Sequence, residues 1–84
     1  MYLEILTPGS KVFSGDIRLI KVPGSKGSFE VMNNHAPIIS TLENGNIKIV
    51  TKEKEILLYN IKGGVIQVVK NKIIVLAEFL TKVS

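Results

Sequence analysis

His35 is the one histidine in this chain, and there is no cysteine, so any reactive centre would have to be assembled from very little. A zinc site needs three or four His, Cys or carboxylate ligands at defined spacings, and no carboxylate pair lies near His35. An imidazole can serve as a positioned acid or base near neutral pH. Nucleophilic catalysis, however, needs a serine with a histidine and a carboxylate arranged around it, and no serine here has that setting. Gly24-Ser25-Lys26-Gly27 has something of the glycine spacing of a phosphate loop. It lacks the closing lysine followed by Ser/Thr, and no helix start follows to hold an anion, so a turn accounts for it. The sequence nominates no catalytic residue, no cofactor-binding residue and no metal ligand. It predicts a protein that binds rather than reacts.

What it binds is only partly constrained by charge. The formal charge is +4 and the pI near 9.5, which favours anionic partners in general. The lysines are scattered, with pairs such as Lys52 and Lys54 or Lys70 and Lys72 beside expected turns, where they keep strand edges soluble. A single-stranded nucleic acid groove would interleave basic residues with stacking aromatics. Tyr2, Phe13, Phe29, Tyr59 and Phe79 are the aromatics available, most at positions that read as core. Arg18 is the lone arginine, although arginine is the preferred reader of phosphate and bases. A free-standing small β-barrel module for an anionic ligand, such as single-stranded nucleic acid, is therefore the alternative reading.

The elements that position these residues are short and extended. Eighty-four residues allow one domain, and at this size only about 60–65% of the unfolded surface is buried. Without cysteines packing alone must hold it. Tyr2 to Thr7 alternates as a strand with Leu3 and Ile5 on one face. Lys11-Val12-Phe13 is a short extended piece, Ser14-Gly15-Asp16 reads as a turn, and Ile17 to Val22 is the next strand. In that strand the adjacent Leu19 and Ile20 imply either burial on both faces or a bulge. Pro23-Gly24 predicts a type II turn with positive φ at Gly24, and Asn33-Asn34 a second corner in the left-handed region. Pro37 keeps His35-Ala36 extended. Beyond Ile38 to Leu42, Asn44-Gly45 predicts a type I′ hairpin. Asn46 to Thr51 and Ile56 to Ile61 flank a turn at Lys52-Glu53-Lys54-Glu55. Gly63-Gly64 reads as a corner, and Lys70-Asn71-Lys72 joins Val65 to Val69 with Ile73 to Leu76. No helical stretch, repeat, linker or 18-residue apolar span is present, and no signal-peptide order opens the chain. Short strands every ~8–12 residues argue for an all-β sandwich or barrel.

Several fragments, taken in order, resemble the N-terminal β domain of the epsilon subunit of F-type ATP synthases. They are Leu3-Glu4-Ile5-Leu6-Thr7-Pro8, Val12-Phe13-Ser14-Gly15, Pro23-Gly24, Gly27, His35-Ala36-Pro37, Asn44-Gly45, Gly63-Gly64 and Val75-Leu76-Ala77-Glu78. There are two departures. Asn33-Asn34 stands where the family commonly has Pro-Gly, and Phe29-Glu30 where a glycine usually follows the glutamate or its equivalent. Residues 1–84 are thus expected to form one such domain. The resemblance implies a flattened antiparallel sandwich or barrel of two roughly five-stranded sheets.

For function, the resemblance implies a non-catalytic rotor subunit of the central stalk, bound to the gamma subunit and the c-ring and coupling ion translocation to ATP synthesis. It implies no cofactor, no nucleic acid, and a peripheral place on the cytoplasmic face of the membrane, reached only through the complex. By the same resemblance, Thr7, His35, Ala36, Pro37, Ile38, Ile39 and Leu42 face gamma, and Gly24, Ser25, Lys26, Gly27 and Ser28 face the c-ring. Ser28 stands at a position often acidic in the family. Many members continue into a C-terminal helical hairpin that inhibits ATP hydrolysis. A chain ending at Ser84 is expected to lack that hairpin, and with it both the inhibition and the ATP binding seen in some members.

Overall fold

The computed structural model describes residues 1–83. Among them are nine strands and no helix, so no helix long and apolar enough to cross a membrane. The strands are β1 (Tyr2–Thr7), β2 (Ser10–Val22), β3 (Phe29–Met32), β4 (Ile38–Leu42), β5 (Gly45–Thr51), β6 (Ile56–Ile61), β7 (Gly64–Val69), β8 (Lys72–Leu76) and β9 (Leu80–Lys82). They form one continuous path, β4-β7-β8-β1-β2-β5-β6-β9, with β3 attached to β2.

The expectation of two separate five-stranded antiparallel sheets, or of a closed barrel, is corrected on three counts. First, the 13-residue β2 pairs with β1 along its first half and with β3 and β5 along its second, so the hydrogen-bond ladder runs through β2 from one half of the molecule to the other. Second, β1 and β8 run parallel, so the sheet is mixed, although antiparallel pairs dominate. Third, β4 and β9 end the path as edges, and the sheet does not close.

The expected turn at Ser14-Gly15-Asp16 is absent, because those residues pair with Glu4, Leu3 and Tyr2 and carry β2 straight on. A Cβ on Gly15 would lie 3.7 Å from the Phe13 ring. The aromatic two residues away thus covers a glycine that would otherwise weaken the strand. The Leu19-Ile20 question resolves as a bulge: the β2–β5 register shifts between Ile17 and Leu19. Ile17, Ile20 and Val22 can therefore all face inward while Leu19 stays half-buried.

The Asn44-Gly45 hairpin is also corrected. β4 pairs with β7 and β5 with β2 and β6, so this dipeptide links strands that never pair with each other. Local turn chemistry cannot register that difference. Other corners agree with the sequence. Lys54 takes φ 70 in the β5–β6 turn, Gly63 takes φ 77 where the chain crosses between halves, and Lys70 and Asn71 join β7 to β8 with φ 49 and 61, the pattern of a type I′ turn. β9 was not anticipated. Inward residues from both halves, among them Leu3, Ile5, Ile66 and Val75 with Ile20, Val31, Ile47 and Ile61, make one core. Of the aromatics only Tyr59 is buried, whereas Phe79 is exposed and Phe13 and Phe29 pack against the rim.

Candidate partner-docking surface

The loop after β2 is stapled to β4. Ser25 N–H donates to Thr41 C=O at 3.0 Å and Glu43 N–H to Pro23 C=O at 2.7 Å, and the Ser25 and Thr41 hydroxyls are 2.7 Å apart. The loop closes on itself through Gly27 N–H to Gly24 C=O at 3.0 Å. The positive φ expected at Gly24 is instead found at Gly27, at 122°. Gly24 is required for a different reason: a Cβ there would lie 2.7 Å from both the Gly27 carbonyl oxygen and Phe29 Cε1. Between loop and strand runs an open groove of about 610 Å³, lined by Gly24–Phe29 and Ile38–Thr41. The Gly24–Ser28 set assigned to the c-ring thus lines one wall of this groove, and of the set assigned to gamma only Ile38 and Ile39 lie on the other.

The His35 turn lies at the other end of β4. His35 N–H donates to Met32 C=O at 3.1 Å, and Asn34 adopts φ 66, so the asparagine does supply the left-handed corner. His35 Nδ1 donates to Ala36 C=O at 2.7 Å, which fixes the proton on Nδ1. This is a backbone-bonding turn histidine. Among the described residues no cluster of three or more His, Cys, Asp or Glu could hold a metal.

Exposure sorts the remaining assigned residues. Ile39 is 72% exposed and Leu42 only 4%. Ala36 and Pro37 are exposed, while Ile38 is half-buried and packs on the core. Leu42 supports the surface from behind. Thr7 stands apart: it follows Leu6, whose row runs through Leu76 and Val65 to Thr41, whereas the His35 turn is tied to Asn71 at the opposite end of β8.

Sequence reasoning missed the rest of this face. In register beside Ile39 lie Gln67, Ile74 and Glu4, and beside Thr41 lie Val65, Leu76 and Leu6. Leu76, Val69 and Tyr2 are exposed. The outer face of β4, β7, β8 and β1 is therefore largely apolar although it meets solvent. Its signal was present in the sequence: Val65–Val69 and Ile73–Leu76 are apolar almost throughout instead of alternating, which is how strands covered on both faces read. A smaller apolar row, Met32–Leu19–Val50–Ile56, crosses the outer face of the other half.

The class of this all-β domain, which turns one largely apolar sheet face to solvent, is settled by comparison. Residues 1–82 match the family described as ATP synthase, Delta/Epsilon chain, beta-sandwich domain, and the chain belongs to that family. It is 40% identical over 78 residues to the ATP synthase epsilon chain of Campylobacter curvus, covering 93% of this chain and 60% of that protein. The epsilon chain of Chlorobium limicola is 36% identical over 76 residues, covering 90% and 86%. A chain in the mitochondrial ATP synthase of Euglena gracilis, solved as OSCP/F1/c-ring, superposes with a TM-score of 0.90 at 15% identity, covering 95% of this chain and 51% of that one. That last likeness speaks for the fold. The chain spans about three-fifths of its Campylobacter curvus relative.

Proposed function

We propose that this chain is a non-catalytic central-stalk subunit of an F-type ATP synthase, with residues 1–84 as its β domain, joining the gamma subunit to the c-ring and so coupling ion translocation to ATP synthesis. The observation that carries this reading is the apolar outer face of β4, β7, β8 and β1 in a member of the delta/epsilon family. Exposed apolar patches rimmed by polar residues mark protein interfaces. A standard interface takes about 800 Å² per partner, a large share of a domain this small.

Gamma docks on this face, with His35, Ala36, Pro37, Ile38 and Ile39 at one end, Thr7 at the far end and Leu42 behind as support. The Gly24–Ser28 loop, with Lys26 at its tip, meets the c-ring at the rim. The protein is then held peripherally on the cytoplasmic side of the membrane through its partners.

Co-elution with the gamma subunit from the same source tests this, with an oligonucleotide as control. A complex with gamma that is lost in the double variant His35→Ala, Ile38→Asp supports the assignment. Salt-sensitive retention of the oligonucleotide without gamma binding would replace it with the anionic-ligand reading.

A further inference from the structure

One ionised cluster interrupts the apolar outer face of β4, β7, β8 and β1. Leu3 and Ile5 are fully buried in the core, so the alternate residues Tyr2, Glu4 and Leu6 face outward. Glu4 lies in the register row Ile39–Gln67–Ile74–Glu4, with Tyr2 and Leu6 two residues to either side on its own strand. Lys72 stands opposite Tyr2 on β8, and Lys11 opposite Leu6 on β2. Each lysine reaches diagonally to the carboxylate between them: Lys11 Nζ lies 3.0 Å from Glu4 Oε2 and Lys72 Nζ 3.6 Å from Glu4 Oε1. Both carboxylate oxygens therefore have a cation from a neighbouring strand.

The Glu4 side chain keeps 17% of its surface in solvent, whereas Lys11 and Lys72 keep 53% and 55%. The carboxylate is covered and the lysines reach water. Among the described residues, Glu4 is the one carboxylate and Lys72 the one cation at the outward positions of these four strands. A partner lying over β1 withdraws this cluster from water. Ions that hydrogen-bond one another withstand that transfer, while an ion stripped of its counterpart is strongly destabilising in the same place.

We propose that Glu4 is a positioning residue of the gamma-docking face: it holds the Lys11 and Lys72 ammonium groups on its own two oxygens, so that the charges within this apolar face enter the interface already paired. The inference rests on the reading that gamma docks here. It asks nothing of gamma beyond an apolar surface that covers β1, because the counter-charge is supplied by this chain. A brace that only tied β8, β1 and β2 together would make the same ion pairs, so the test must read binding as well as folding.

Calorimetric titration with the gamma subunit from the same source, on variants whose far-UV spectra match the parent, makes that test. Glu4→Gln leaves two ammonium groups unpaired and is expected to weaken gamma binding at least about tenfold. The double variant Lys11→Met, Lys72→Met strands the carboxylate instead and is expected to weaken it as well. Glu4→Gln combined with both lysine changes removes every charge of the cluster and is expected to recover most of the parent affinity, since an apolar replacement of a whole ion cluster is often neutral. A brace gives the opposite order, because the triple variant lacks every tie and binds no better than Glu4→Gln. That order, or parent-like affinity in Glu4→Gln, overturns the role of Glu4. If His35→Ala, Ile38→Asp still abolishes the complex while Glu4→Gln binds as the parent does, docking stands and the Glu4 inference falls. The absence of any gamma complex with the parent chain overturns both.

Discussion

Asn34 and Asn71 clasp each other across 37 positions of sequence: Asn34 N–H donates to Asn71 Oδ1 at 2.7 Å, and Asn71 Nδ2 donates to Asn34 Oδ1 at 3.3 Å. Both residues are left-handed, at φ 66 and 61, a conformation asparagine tolerates better than other residues bearing a Cβ. Each therefore forms its own turn and also ties the His35 turn to the β7–β8 hairpin. A Pro-Gly pair in place of Asn33-Asn34 could make the corner and keep the bond from the residue-34 N–H to Asn71 Oδ1, but it would lose the bond from Asn71 Nδ2.

Asn71→Gly keeps the permitted φ and removes the clasp. The expected cost is about 1 kcal/mol in urea unfolding, with faster amide exchange from Asn33 to Ala36. Asn71→Ala is expected to cost a further ~1 kcal/mol, because alanine resists the left-handed region. If exchange in the His35 turn is the same in Asn71→Gly as in the parent, the clasp does not position that turn.

Gly24→Ala places a Cβ against the Gly27 carbonyl and the Phe29 ring. One of these contacts is backbone and cannot swing away, so a loss of about 1–3 kcal/mol is expected, the range of overpacking. Gly9→Ala is the control. Its φ is 82 but nothing lies within 4 Å of the new methyl, so only the backbone penalty applies, about 1 kcal/mol. Equal thermal shifts for the two variants would show that the Gly24 loop yields freely.

Glu4 titrates below the ordinary carboxylate range, chiefly because Lys11 hydrogen-bonds and pairs with it at 3.0 Å, with Lys72 adding at 3.6 Å. A carboxylate depressed in the folded state stabilises above its unfolded value, near 4.3, and that contribution fades as pH falls through the folded value. NMR titration of Lys11→Met is expected to move the Glu4 midpoint upward and flatten stability between about pH 5 and 3. Both lysine side chains are more than half exposed, so added salt should shrink the difference.

Tyr59 is pushed up by burial. With the folded value above the unfolded one, near 10, its contribution is complete below that pH and is lost as pH rises through the folded value. Tyr59→Phe is expected to hold its stability into alkaline solution better than the parent, as followed by thermal melts from pH 8 to 11. An identical alkaline decline in the two proteins would assign the loss to other groups.

Much of the fold was legible because it is local. Alternation at Leu3 and Ile5, the lysine-rich turns at 52–55 and 70–72 and the glycine corner at 63–64 each report the conformation of a few consecutive residues, and the structure agrees with them. Ser14-Gly15-Asp16 and Asn44-Gly45 misled because their turn chemistry is real but weak, and the pairing of distant strands overrides it. Within the candidate surface, the sequence singled out His35 to Ile39 and the Gly24 loop. The apolar outer face of β7 and β8 was hidden in runs that look like ordinary core.

By itself the sequence determined the all-β class and the family, since composition, periodicity and ordered motifs are properties of the chain. The tertiary structure alone decided that β2 carries one sheet through both halves, that β8 runs parallel to β1, and that the Gly24 loop and β4 face each other across one groove. These are relations between segments tens of residues apart. They are set by which hydrophobic faces bury one another and which ladder bonds that burial leaves available, and no local signal encodes either.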